Sequence, residues 1–106
     1  MIDDVLVDVM QRAKKMTREE LVRALNLEGK TKHADRRLRG IKERVNMNNG
    51  RFANTLIVGF SNGKGYKLAD NPDEIKHFIR EMSKRKESMD IQIEKAERML
   101  KEMENL

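Results

Sequence analysis

The chain has 106 residues, a formal net charge of +5, no cysteine and only four aromatic residues. That length allows one modest core, and the missing thiols exclude disulfides, thiolate zinc sites and a cysteine nucleophile. The basic balance makes a polyanion the first partner class to expect. The longest uncharged run, residues 52–63, is too short for a bilayer span of roughly 20 apolar residues. The opening MIDDVLVDVM is acidic and unlike a signal peptide. The expectation is a soluble cytoplasmic protein with no membrane partner.

Ile2, Val5, Leu6, Val9, Met10, Ala13 and Met16 recur with helical period, which predicts a first helix over 2–15, with Asp3 and Asp4 suiting its N-terminal dipole. MTREELVRAL restarts the pattern. Thr17 can cap a second helix, Glu20 three residues on completes a capping box, and Met16 can form the staple. Leu21, Val22 and Leu25 then face the core, and Gly29 in NLEGK is the natural turn residue. A third helix follows, capped by Thr31, with Ala34, Leu38, Ile41 and Val45 as its apolar stripe. NMNNG reads as a loop after it.

The β-branched run at 54–60 predicts a strand, with Leu56, Val58 and Phe60 on one face and Thr55 and Ile57 on the other. YKLA predicts a second strand, with Tyr66 and Leu68 on one side. Between them lies SNGKG, and Asn62-Gly63 is a strong signal for a tight hairpin. Asn71 caps a last helix, with Pro72 at its first position and Asp73 and Glu74 in its first turn. No glycine or proline follows Pro72. Ile75, Ile79, Met82, Lys86, Met89, Ile93, Ala96, Leu100 and Met103 alternate spacings of four and three, a heptad seam with one polar member. A helix of roughly 35 residues is about 50 Å long, so the distal part of the seam, from Met82 on, is expected to pair with a second copy of the chain. The expected division is a domain over 1–70 and an oligomerisation or partner-binding helix over 71–106.

The glycine-rich GFSNGKG does not fit a phosphate-binding loop. That loop needs GxxxxGK followed by Ser or Thr, between a strand and a helix. Here three residues separate Gly59 from Gly63, Gly65 follows Lys64, and the next segment is strand-like. No acid pair, nucleophile–base set or metal cluster stands out elsewhere, and His33 and His77 are isolated. Neither an enzyme nor a cofactor is expected.

Charge is concentrated in the middle. Residues 29–67 hold ten lysines and arginines against two acids, Asp35 and Glu43, while the rest of the chain holds 13 basic against 16 acidic residues. The element order is helix, two helices joined by a short turn with the second strongly basic, strand, charged glycine turn, strand. This is the order of a winged helix-turn-helix, so the expected class is α+β, mostly helical, with a long coiled-coil-like C-terminal helix.

At this point the chain also resembles small winged-helix proteins encoded by phages and prophages. These carry an S-x-G-x-G-Y-x-L/I hairpin, then an acidic opening of the form D-E-I/L-x-x-Y/F-I leading into an Arg/Lys-rich helix. The matching pieces are SNGKGYKLAD, NPDEIKHFIREMSKR and the preceding TKHADRRLRGIKERVN, spanning about residues 17–90. The C-terminal helix runs longer than that pattern. The resemblance implies binding of double-stranded DNA in regulation or replication of a phage or mobile element, in a nucleoid-associated setting.

A helix-turn-helix lays its second helix in the major groove. With the apolar stripe inward, Lys32, Arg36, Arg39, Gly40 and Glu43 lie opposite it. Arg36 is the leading candidate base reader, followed by Lys32 and Arg39, because Arg binds guanine O6 and N7 bidentately. Gly40 can admit a close phosphate. Arg37, Lys42 and Arg44 are candidate phosphate contacts, with Arg18, Lys30 and Arg51 at the edges. Asn62, Lys64 and Lys67 are the candidate wing contacts, and the Tyr66 ring either completes the hairpin's apolar face or brings its hydroxyl to a phosphate. The competing expectation is a protein-interaction module, in which the winged domain or the final helix binds a host or replication protein.

Overall fold

The computed structural model describes residues 1–27, 31–59 and 64–105, with Thr31 and Lys32 described by backbone alone. In chain order it contains α1 (Ile2–Arg12), β1 (Lys15–Thr17), α2 (Arg18–Ala24), α3 (Thr31–Met47), β2 (Ile57–Gly59), β3 (Gly65–Leu68) and α4 (Pro72–Glu104). The fold is α+β and mostly helical. The chain divides into two compact units, Met1–Asp70 and Asn71–Leu106.

In the first unit, α1, α2 and α3 enclose one core with one face of the sheet. Leu6, Met10, Leu21, Leu38, Val45 and Ile57 are fully buried, joined by Ala34 and Ile41 of the α3 stripe. Burying a side chain of this size contributes about 1.5–3 kcal/mol, so the stripe that faces inward fixes which side of α3 faces out. Phe52 also enters this core, from a turn over residues 51–54. Val5 is exposed despite its place in the expected repeat.

The first helix is shorter than its periodicity suggests. It ends at Arg12, Ala13 is extended at φ −112° and ψ 105°, and Lys15–Thr17 forms a strand. Met16 still reaches the core, from a strand directly opposite Tyr66. The reason is long-range. An isolated two-stranded hairpin is marginal, and β1 supplies a third antiparallel strand on the far edge of β3, giving the order β1-β3-β2.

The capping box on α2 is present in full. Glu20 N–H donates to Thr17 Oγ1 and Thr17 N–H donates to Glu20 Oε1, both at 3.1 Å. Met16, the expected staple residue, is buried and belongs to the same core as Leu21. At the other end of α2, Asn26 adopts φ 52°. Its N–H donates to the Arg23 carbonyl at 3.1 Å and Leu27 N–H to the Val22 carbonyl at 3.0 Å. These two bonds form a Schellman motif in which asparagine takes the left-handed position usually given to glycine. The helix therefore ends before Gly29, which lies outside the described residues, as does Lys30. The third helix already includes Thr31, whose capping side chain also lies outside the described residues, and it continues to Met47.

The hairpin strands are shorter than the expected 54–60 run. Ile57 pairs with Leu68, Val58 with Lys67 and Gly59 with Tyr66. The tip itself, with Phe60 and Asn62, lies outside the described residues. From this hairpin Ile57 joins the main core, with Tyr66 and Leu68 packed against that core. Its N–H and carbonyl point away from β3 and meet the Asn46 side chain instead. Asn46 Oδ1 accepts from Ile57 N at 2.8 Å, and Asn46 Nδ2 donates to Ile57 O at 3.0 Å.

The second unit is α4. Asn71 caps it by accepting from Glu74 N–H at 3.0 Å, with Pro72 at its start and Asp73 and Glu74 in its first turn. No residue of α4 is buried. Ile75, Ile79, Met82, Met89, Ile93, Leu100 and Met103 are all exposed.

Candidate nucleic-acid interface

The buried stripe of α3 turns three arginines outward. Arg36 and Arg39 lie on the side opposite Ala34, Leu38 and Ile41, and Arg37 lies on one flank. All three are exposed. None of them makes a hydrogen bond or ion pair with a described residue. A carboxylate within about 4 Å would have neutralised them, yet Asp35 and Glu43, the two acids of α3, form no such pair. The Lys32 side chain lies outside the described residues. His33 is exposed on the same helix.

Gly40 lies within α3 between Arg39 and Ile41. A Cβ built there would have no heavy atom within 4 Å, so internal packing does not require glycine. The residue leaves bare helix backbone beside the arginines, at a cost of roughly 0.5–1 kcal/mol relative to alanine.

One flank of α3 faces β3. Lys42 Nζ lies 5.1 Å from the centroid of the Tyr66 ring, a cation–π distance. Arg18, Asp35, Leu38, Arg39 and Tyr66 line a shallow depression there. The Tyr66 ring packs against the core, as its place on the apolar side of the hairpin suggested.

The other flank meets α1. Arg44 donates to both oxygens of Asp3, Nη2 to Oδ1 at 2.9 Å and Nε to Oδ2 at 3.3 Å. This bidentate pair holds the Asp3 carboxyl below its ordinary pKa, and Asp3 in turn raises that of Arg44. Arg51 Nη1 contacts Asp4 Oδ1 at 3.0 Å and stacks over the Phe52 ring at 4.7 Å. Arg44 and Arg51 thus have carboxylate partners, while Arg36, Arg37 and Arg39 have none among the described residues. Sequence periodicity gave no sign of this difference, because Asp3 lies 41 residues from Arg44 in the chain.

On the hairpin, Lys64 is exposed. Lys67 is 15% exposed in its side chain, and its ammonium pairs with Asp70 at 3.2 Å. Of the expected wing residues, Lys64 is exposed and Lys67 is largely covered, while Asn62 lies outside the described residues.

No protein-family model, curated protein or solved structure matches the chain. Among the described residues there is no group of His, Asp or Glu able to hold a metal ion. No helix of the described residues is long and apolar enough to cross a membrane.

Proposed function

We propose that the chain is a winged helix-turn-helix protein that binds double-stranded DNA through α3. The observation that carries this is the exposed trio Arg36, Arg37 and Arg39, without partners among the described residues, on a helix whose opposite face is core. The order α1-β1-α2-α3-β2-β3 with the sheet order β1-β3-β2 supports the winged-helix assignment. So does the antiparallel pairing of β2 with β3. In this arrangement Arg36 reads base edges in the major groove, with Lys32 and Arg39 beside it. Arg37 and Lys42 contact phosphates, and Asn62 and Lys64 form a wing on the adjacent backbone. Arg44 and Lys67 are held by carboxylates and act at the margin. The setting is regulation or replication of a phage or mobile element, at the nucleoid in the cytoplasm of a bacterial cell. The protein has no enzymatic role and acts as a homodimer joined through α4.

The test is fluorescence anisotropy of the full chain with a labelled duplex across a salt series. Tight binding at low salt that falls steeply with salt is expected. After selection of a preferred site from a random duplex pool, Arg36→Ala weakens that site by about tenfold or more. Lys64→Ala mainly flattens the salt dependence. Absence of duplex binding at low salt, or unchanged affinity in both variants, sinks the proposal.

One observation favours a second function. The exposed apolar seam of α4 suits a protein partner, and a host or replication protein could occupy it in place of a second copy. A chain that stays monomeric, ignores duplex DNA and captures such a protein through α4 would decide for that alternative.

A further inference from the structure

We infer that α4 pairs with α4 of a second copy in antiparallel orientation, with Ile75 of one chain level with Leu100 of the other. This rests on the self-association proposed above and adds its direction and register. The seam from Ile75 to Leu100 runs through nearly four heptads of a single uninterrupted helix in which no side chain is buried, enough to sustain a coiled coil.

Charge sets the direction. Residues 76–86 contain five basic side chains and one acid, Glu81, whereas residues 87–104 contain six acids and three bases. A parallel pair lays the basic stretch on itself. It also stacks Lys86 on Lys86 inside the seam, with an Arg85 on either side, four cations at one level. Its compensation is a pair of Arg85–Asp90 contacts on the solvated rim, where ion pairs are weak. The antiparallel pair sets residues 76–86 against residues 89–99, which hold Asp90, Glu94 and Glu97 against Lys95 and Arg98. Lys86 then faces Met89, an unbranched and adaptable side chain, with Asp90 of the second copy next in sequence.

Residues beside the seam select the register. Phe78 and Met99 are apolar yet lie off it. With Ile75 level with Leu100, they face each other across the flank, extending the apolar contact. Lys76 meets Glu97 on the other flank, and no like charges oppose. Sliding by one heptad toward the C-terminus brings Asp90 onto its own symmetry mate and separates Phe78 from Met99.

The chain has no cysteine, so introduced thiols are unique. Sedimentation equilibrium of the full chain comes first, and a dimer is expected. A monomer at high concentration refutes self-association itself, a result distinct from every cross-linking pattern. Met82→Cys and Ile93→Cys are then oxidised separately and after mixing and re-equilibration. In the antiparallel register, position 82 of one chain lies level with position 93 of the other, which brings the two introduced thiols within disulfide reach. Identical positions are about 16 Å apart along the axis at 1.5 Å per residue. Only the mixture is expected to give a covalent dimer on a non-reducing gel. Cross-linking of Met82→Cys alone establishes a parallel pair and overturns the inference. Failure of the mixture to cross-link while the dimer persists overturns the register.

Discussion

Asn46 joins α3 to the sheet by imitating a strand. Its amide offers one donor and one acceptor to Ile57, in the geometry that another backbone would use, and so occupies the outer edge of β2. An open strand edge invites pairing with other chains. Asn46→Leu leaves both Ile57 groups unpaired and is expected to cost about 1–3 kcal/mol, measurable by urea denaturation. It should also raise the tendency to aggregate. Asn46→Asp keeps the acceptor and regains a donor only when protonated, so it should be milder at about pH 3–4 than at neutral pH, where the ionised carboxylate opposes the Ile57 carbonyl oxygen. Gly40 poses the opposite case. Gly40→Ala is expected to stabilise the fold by about 0.5–1 kcal/mol, because its Cβ meets open space. If DNA backbone approaches α3 at this point, the same variant binds duplex more weakly while melting higher. A variant that gains stability with unchanged binding removes Gly40 from the interface.

The helices were the most legible elements. The capping box at Thr17 and Glu20, the stripe from Ala34 to Val45, and the cap at Asn71 all follow from short-range spacing along the chain. The strand at Lys15–Thr17 was not legible, because its reason is the edge of β3, where Met16 sits opposite the distant Tyr66. Its three residues alternate exposed, buried and half-buried, too short a pattern to compete with the helical repeat before it. Asn26 hid for a different reason, since asparagine can supply a left-handed residue without the glycine that announces one. On α3 the sequence marked a basic face but gave no sign that Arg44 has a carboxylate partner and Arg36 has none among the described residues. Only the fold brings Asp3 beside Arg44. The long helix carries its own test. A chain ending at Arg85 keeps the core residues of the first unit but loses most of the seam, so it is expected to be monomeric by sedimentation. Its far-ultraviolet dichroism should lose at least the helix contributed by residues 86–104. A truncated chain that remains dimeric would move the contact out of α4.

At the scale of the whole molecule, acid stability is expected to depend in part on a bond between the first turn of α1 and the last turn of α3. Arg44 lowers the folded-state pKa of Asp3, so the carboxylate stabilises the fold above its unfolded value, near 3.9. That contribution is complete at neutral pH and is lost as pH falls through the lowered folded value. The thermal midpoint should therefore hold from about pH 7 to about pH 5 as far as this group is concerned, then decline below about pH 4. Asp3→Asn is expected to melt lower at neutral pH and to show a shallower decline on acidification. An unchanged pH profile in that variant would show that the pair contributes nothing to acid sensitivity.

The two pairs made by α1 also shape the field around α3. Asp3 and Asp4 sit beside Arg44 and Arg51, so the cationic surface is quenched at the C-terminal end of the helix and left bare from Arg36 to Arg39. A polyanion approaching such a surface meets a slope. Under the proposed function, that slope favours the stretch from Arg36 to Arg39 over the C-terminal turn of α3. The acidic start of the chain, which looked unrelated to the basic middle, thus makes the positive field along α3 uneven, a built-in bias in orientation for a duplex if the proposed binding holds.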